Sequence, residues 1–161
     1  MAVTPAEALK ARNGQQVARA GEHLVAGELH RRGAYAVTFA GNMPAIDVVA
    51  SNLDQSRTVF IQVKTKQTGS WQTSTKYALA GEGVPDEDRF WIFVDLKKPG
   101  VEPLYYVCPE SWIRNNIDEV HKAYLAKHGG ERAQTPGSTH HAIRRNRLDE
   151  WHDRWDLLGI F

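Results

Sequence analysis

Two hydrophobic rhythms alternate along the chain. Over residues 15–32, Val17, Ala20, Gly21, Leu24, Val25 and Leu29 recur at three- and four-residue steps, which predicts an amphipathic helix. Gly33 ends it, with Arg31 and Arg32 in the last turn where cations suit the helix dipole. The preceding residues show little periodicity beyond Ala6 and Leu9 and read as a loose arm or a short first helix. The period then shortens to that of strands: residues 35–39, 46–50 and 59–66 are β-branched and aromatic runs. Gly41, Asn42 and Pro44 make the first turn between them, and Asn52, Asp54, Gln55 and Ser56 the second. A three-strand meander is expected.

Further on, residues 67–76 are rich in Thr, Ser and Gln around Trp71. This stretch reads either as a substrate-facing loop or as a lid that lays Trp71 on the core. Residues 81–88 form an acidic loop around Pro85. Residues 89–96 are continuously apolar, as in a strand covered on both faces, and residues 104–108 return as another strand. Pro109-Glu110-Ser111 then opens a helix to about Lys127, with Trp112, Ile113, Ile117, Val120 and Tyr124 as its buried stripe. A flexible loop is expected over residues 129–138. A final helix over residues 143–161 is expected to fold back through Leu148, Trp151, Trp155, Leu157 and Leu158. The expected fold class is α/β: a mixed central sheet flanked by helices, with an extra C-terminal helix.

Composition narrows the setting. The 161 residues suit one domain with one core, residues 1–161, its C-terminal helical extension covering about 139–161. The sequence has no apolar run long enough to span a membrane, and Glu7, Lys10 and Arg12 at the start do not resemble a secretory leader. Cys108, the lone cysteine, reads as a buried strand residue, and a reducing cytoplasm is the expected location. A net charge of +1 argues against a general nucleic-acid coat protein but not against a nuclease. Local basic clusters remain: Arg31 with Arg32, Lys64 with Lys66, and Arg144 with Arg145 and Arg147. Each reads as a solvated face or as a phosphate contact.

The chemistry gathers in the meander. Phe60, Gln62 and Lys64 share one face of their strand, so Asp47 on the neighbouring strand falls near an amide and an ammonium. Such a convergence is what a metal-assisted phosphodiester cut requires. Glu22 lies at the border of the helical stripe and Glu28 nearer its middle, and periodicity leaves open which of them faces inward. His140 and His141, beside Arg144 and Arg145, read as surface histidines, as a phosphate contact, or as zinc ligands with His152 and Asp153. Trp151 and Trp155 read as core residues.

Gly21-Glu22, Leu29, Gly33, Ile46-Asp47-Val48-Val49-Ala50 and Ile61-Gln62-Val63-Lys64 together resemble the PD-(D/E)XK nuclease superfamily. The similarity is to its restriction-endonuclease-like and Holliday-junction-resolvase-like branches and covers residues 15–67. It implies a restriction-endonuclease-like core and a metal-dependent DNA endonuclease using magnesium or manganese. On this resemblance Asp47 is the metal-binding aspartate, Lys64 orients the attacking water, and Glu22 is an additional first-helix acid. Pro44 precedes Asp47 by three positions, and Gln62 stands where the family usually has a carboxylate. The implied metal ligands are Asp47, the Gln62 side-chain oxygen, the Val63 carbonyl and Glu22; of the basic clusters, Lys66, Arg144 and Arg145 are the residues expected to meet the DNA. The alternative is a member that has lost catalysis and binds nucleic acid or a protein. For the endonuclease, specificity would come from DNA structure, from a homodimer or from a partner protein.

Overall fold

A computed structural model describes residues 4–41, 43–78, 85–132 and 135–161. Helix α1 (Pro5–Ala11) opens with Pro5 at its start and a Thr4–Glu7 capping box, so the short first helix is the form taken. Helix α2 (Gly14–Arg31) is capped by Asn13 and Gln16 in the same reciprocal way. It stops where Gly33 adopts a left-handed φ of 95°.

Strands β1 (Tyr35–Thr38), β2 (Val48–Ser51) and β3 (Thr58–Lys66) form the expected antiparallel meander. Beyond β4 (Trp71–Ser74) the chain reaches β5 (Arg89–Asp95), which pairs with β3 in parallel. Strand β6 (Leu104–Pro109) returns antiparallel to β5, completing a mixed five-stranded sheet ordered β1-β2-β3-β5-β6. Every residue of β5 is buried, as its unbroken apolar run requires of a strand covered on both faces.

The two faces carry separate cores. Val25 and Leu29 of α2 pack on Val48, Ala50, Val59, Ile61, Ile92 and Val107. Helix α3 (Glu110–Lys127) covers the opposite face, where Ile113 and Ile117 meet Trp71, Trp91, Phe93 and Tyr106. Buried Glu110, at the start of α3, accepts from Arg89 Nε at 3.0 Å and from Trp91 Nε1 at 3.3 Å, tying the helix to β5. Val120 and Tyr124, expected in the buried stripe, are exposed, because α3 runs past the sheet after Ile117.

The stretch around Trp71 is a strand. Strand β4 pairs with β7 (His140–Ile143) in a separate two-stranded sheet, and fully buried Trp71 donates from Nε1 to the Val94 carbonyl at 3.0 Å. Trp71 therefore belongs to the core. Of the two loops expected on either side of β5 and α3, residues 81–84 and 133–134 lie outside the described residues.

The expected C-terminal helix is replaced by β7 and three 3₁₀ turns, Arg145–Arg147, Asp149–Trp151 and Trp155–Leu158. The reason is that the tail serves both faces of the sheet. Trp151 packs against Trp112 on the α3 side, and Trp155 packs against Tyr105 on the α2 side. Between them the chain wraps the β6 edge: His152 bridges to Tyr106, and the Asp153 N–H donates to the Tyr105 carbonyl at 3.0 Å. Asp153 turns through a φ of 52°, which no continuous helix allows.

Candidate active site

The site forms where β2 stops short of β3. The last paired residues are Val48 and Ile61, so in the continued register Asp47 faces Gln62 on the α3 side of the sheet. The Asp47 N–H still donates to the Ile61 carbonyl at 2.9 Å, and its carboxylate Oδ2 accepts from the Val63 N–H at 2.7 Å. A side chain has replaced the strand. Because N–H and C=O of one strand residue point to the same side, the Val63 carbonyl is directed into the same gap.

Gln62 is buried, and its Oε1 has no hydrogen-bond partner, while its amide helps to hold the Asp47 carboxylate charged. An orphaned buried oxygen is costly and asks for a donor or a cation. Two residues on, the Lys64 ammonium lies 5.3 Å from the Tyr77 ring centroid and 5.5 Å from that of Trp91, within cation–π range of both.

Burial acts on both charges of this pair. Desolvation raises the Asp47 pKa above its ordinary value, against the pull of the Val63 N–H, Lys64, Arg19 and Gln62. Desolvation likewise lowers the Lys64 pKa, against the pull of Asp47. The two charges partly support each other in a site that opposes both.

Arg19, which the sequence gives no reason to single out, joins the second layer. Its Nη1 donates to Glu22 Oε2 at 2.7 Å and to the Phe39 carbonyl at 2.9 Å, past the end of β1. Glu22 is buried on α2 with its carboxylate engaged by Arg19. Glu28 instead pairs with Arg31 at 2.7 Å and Arg32 at 2.9 Å, one end of α2 away. Gly21 lets α2 come this close to β3. A Cβ there would fall 1.8 Å from Thr65 Oγ1.

The remaining expected residues lie elsewhere. Lys66 is turned inward, 3.1 Å from Asp95 and over the Trp71 ring, with its side chain only 11% exposed. Arg144 and Arg145 are exposed beside β7. The histidine group does not assemble a zinc site. Buried His141 contacts Arg147, whereas His152 sits on the β6 edge, and the described residues hold no cluster of three or more His, Cys, Asp or Glu able to bind a metal. Cys108 is fully buried, and desolvation pushes its thiol well up, so it is no nucleophile.

The donors around Asp47 are all hard oxygens: a carboxylate, an orphaned amide oxygen and a main-chain carbonyl. Such a set suits magnesium or manganese rather than a thiophilic metal.

Comparison of the sequence with protein families and with characterised proteins finds no match. Among solved structures, the fold is similar to that of a bacterial homing endonuclease, I-Ssp6803I. The similarity extends over 92% of this chain and 95% of that one, with a TM-score of 0.53 and 12% sequence identity. At that identity the likeness is one of fold. Among the described residues no helix is long and apolar enough to cross a membrane.

Proposed function

We propose that this protein is a metal-dependent DNA endonuclease, a PD-(D/E)XK-like variant with Gln62 in the usual carboxylate position. The observation that carries the proposal is the meeting of Asp47, the orphaned Gln62 oxygen and Lys64 on one sheet face. The homing-endonuclease-like fold supports the same reading.

In this reading Asp47, Gln62 and the Val63 carbonyl hold a magnesium or manganese ion. When bound, the ion supplies Lewis-acid activation of a phosphodiester and a water of lowered pKa. The Val63 N–H fixes the Asp47 carboxylate for that task. The Tyr77 and Trp91 rings fix the Lys64 ammonium, which orients the attacking water and faces the charge that develops on the phosphoryl oxygens. Glu22 is the additional first-helix acid of this reading, its Oε2 held by Arg19 at 2.7 Å. Lys66 supports Trp71 and Asp95, leaving Arg144 and Arg145 as the DNA contacts of the expected set. Specificity comes from DNA structure, from a homodimer or from a partner protein.

The Arg19–Glu22 pair and the neutral amide favour one rival: a nuclease fold that has lost catalysis and binds nucleic acid or a protein. Incubation with supercoiled, linear and branched DNA, with magnesium, manganese or chelator, separates the two. Metal-dependent cutting that Lys64→Ala abolishes is the expected result. No cutting of any substrate by a folded protein favours the rival.

A further inference from the structure

A cavity of about 550 Å³ opens between the outer half of α3 and β7 and shares no residue with the Asp47 site. Its wall carries Arg132, Arg144, Arg147, His121, His140 and His141. Arg147 is its most constrained cation. Nε and Nη2 both donate to Asn116 Oδ1, Nε at 2.9 Å, and Nη2 also donates to the Asn116 carbonyl at 3.4 Å. Nη1 donates to the Ala142 carbonyl and to His141 Nε2, each at 3.1 Å, so that all five N–H groups are engaged. Every one of these acceptors is neutral. His141 must be unprotonated at Nε2 to accept, and burial, with Arg147 next, lowers its pKa to about 4.

This sets Arg147 apart from the other covered arginines. Arg89 is paired with Glu110 at 3.0 Å and Arg114 with Asp86 at 2.6 Å. Among the described residues no carboxylate pairs with Arg132, Arg144 or Arg147. Glu131 borders only the adjoining hollow and is exposed. A partly desolvated guanidinium whose donors are all met by neutral groups keeps an uncompensated positive charge, which favours an anion beside it. The cavity lies within the size range of ligand sites.

We propose that this α3–β7 cavity is a phosphate-binding site, in which the fixed, uncompensated charge of Arg147 attracts the anion and Arg132 and Arg144 supply the donors. The ligand is a phosphate group, whether of a DNA backbone or free in solution. Only the DNA source rests on the nuclease reading; the site itself rests on its own residues.

The test is duplex binding by fluorescence anisotropy in chelator over a salt series, and calorimetry with inorganic phosphate, for the wild type, Arg147→Gln and Arg144→Gln. Thermal melts check folding. Arg144→Gln guards against loss of fold, since Arg144 is exposed and makes no ion pair among the described residues. Each variant is expected to weaken duplex binding roughly tenfold and to reduce the salt slope by about one. Loss of inorganic phosphate binding in both variants, without any duplex effect, supports the site with free phosphate as its source. Unchanged binding of both ligands in the folded variants, or a wild type that binds neither, overturns it. Cutting is scored separately: an inert enzyme with arginine-dependent phosphate binding sinks the nuclease reading alone. An active enzyme whose variants bind like wild type sinks the cavity alone.

Discussion

The carboxylate of Asp47 accepts the Val63 N–H at 2.7 Å and so continues the β2–β3 ladder with a side chain. Asp47→Asn and Asp47→Ala therefore part company. Asparagine retains an oxygen for Val63, whereas alanine leaves the N–H without that acceptor, a loss of about 1–3 kcal/mol. Chemical denaturation should show Asp47→Ala destabilised by that order and Asp47→Asn close to wild type, with cutting lost in both. Equal stabilities would mean that water replaces the carboxylate freely.

Burial opposes both charges of the Asp47–Lys64 pair, so each makes stability depend on pH. Asp47 has a raised folded pKa, so its contribution to stability falls as pH rises from 3.8 through that value. Lys64 has a lowered folded pKa, so its contribution falls as pH drops from 10.5 through that value. Where both groups are charged, both penalties are present, offset in part by their mutual attraction. Either single neutralisation removes one penalty and that attraction together. The double variant Asp47→Asn/Lys64→Met should be more stable than either single one, by differential scanning calorimetry at neutral pH. Strict additivity would show that the two charges do not interact.

Gln62→Glu places a second carboxylate opposite Asp47. In chelator the like charges should destabilise the fold by about 1–3 kcal/mol at neutral pH, with the loss diminishing as the solution is acidified. Magnesium or manganese should raise the melting temperature of the variant more than that of wild type. A metal response no greater than wild type would remove Gln62 from the ligand set.

Much of this was legible in the sequence because local signals and tertiary demands agreed. The β5 run is apolar throughout because helices cover both of its faces, and Pro109-Glu110 marked the start of α3 because a fixed φ and an acid suit a helix N-terminus. The position of Asp47 opposite Gln62 followed from strand alternation and a short turn. The tail misled because Trp151, Trp155 and Leu158 are spaced as on a helix, yet they serve opposite faces of the sheet around its β6 edge. Strand β4 was hidden by its brevity and its Gln-Thr-Ser composition. Arg19 carries no local mark at all, since its role depends on where the Phe39 carbonyl and Glu22 meet it.

Gly21→Ala tests how closely α2 must approach β3. The added Cβ would lie 1.8 Å from Thr65 Oγ1, 3.0 Å from its Cγ2 and 2.9 Å from its Cβ. Helix propensity favours alanine by about 1 kcal/mol, and overpacking costs roughly 1–3 kcal/mol, so a net loss in the melting temperature is expected. Thr65→Ala in the same chain should recover only part of it, because the Thr65 Cβ stays in place. Full tolerance of Gly21→Ala would mean that α2 can lift away from the strand.

The parallel pairing of β3 with β5 has a consequence in time. Parallel neighbours cannot be joined by a tight turn, and here the whole of residues 67–88 must be closed before the two strands meet. The meander that brings Asp47 to Gln62 is built from sequence neighbours, whereas the Trp91 ring over Lys64 arrives from across that long closure. Contact order then predicts that pulsed hydrogen exchange during refolding will find the β2–β3 amides protected before the amides that join β3 to β5. The Asp47, Gln62 and Val63 oxygens come together first, and the aromatic cover closes over the lysine as a later event.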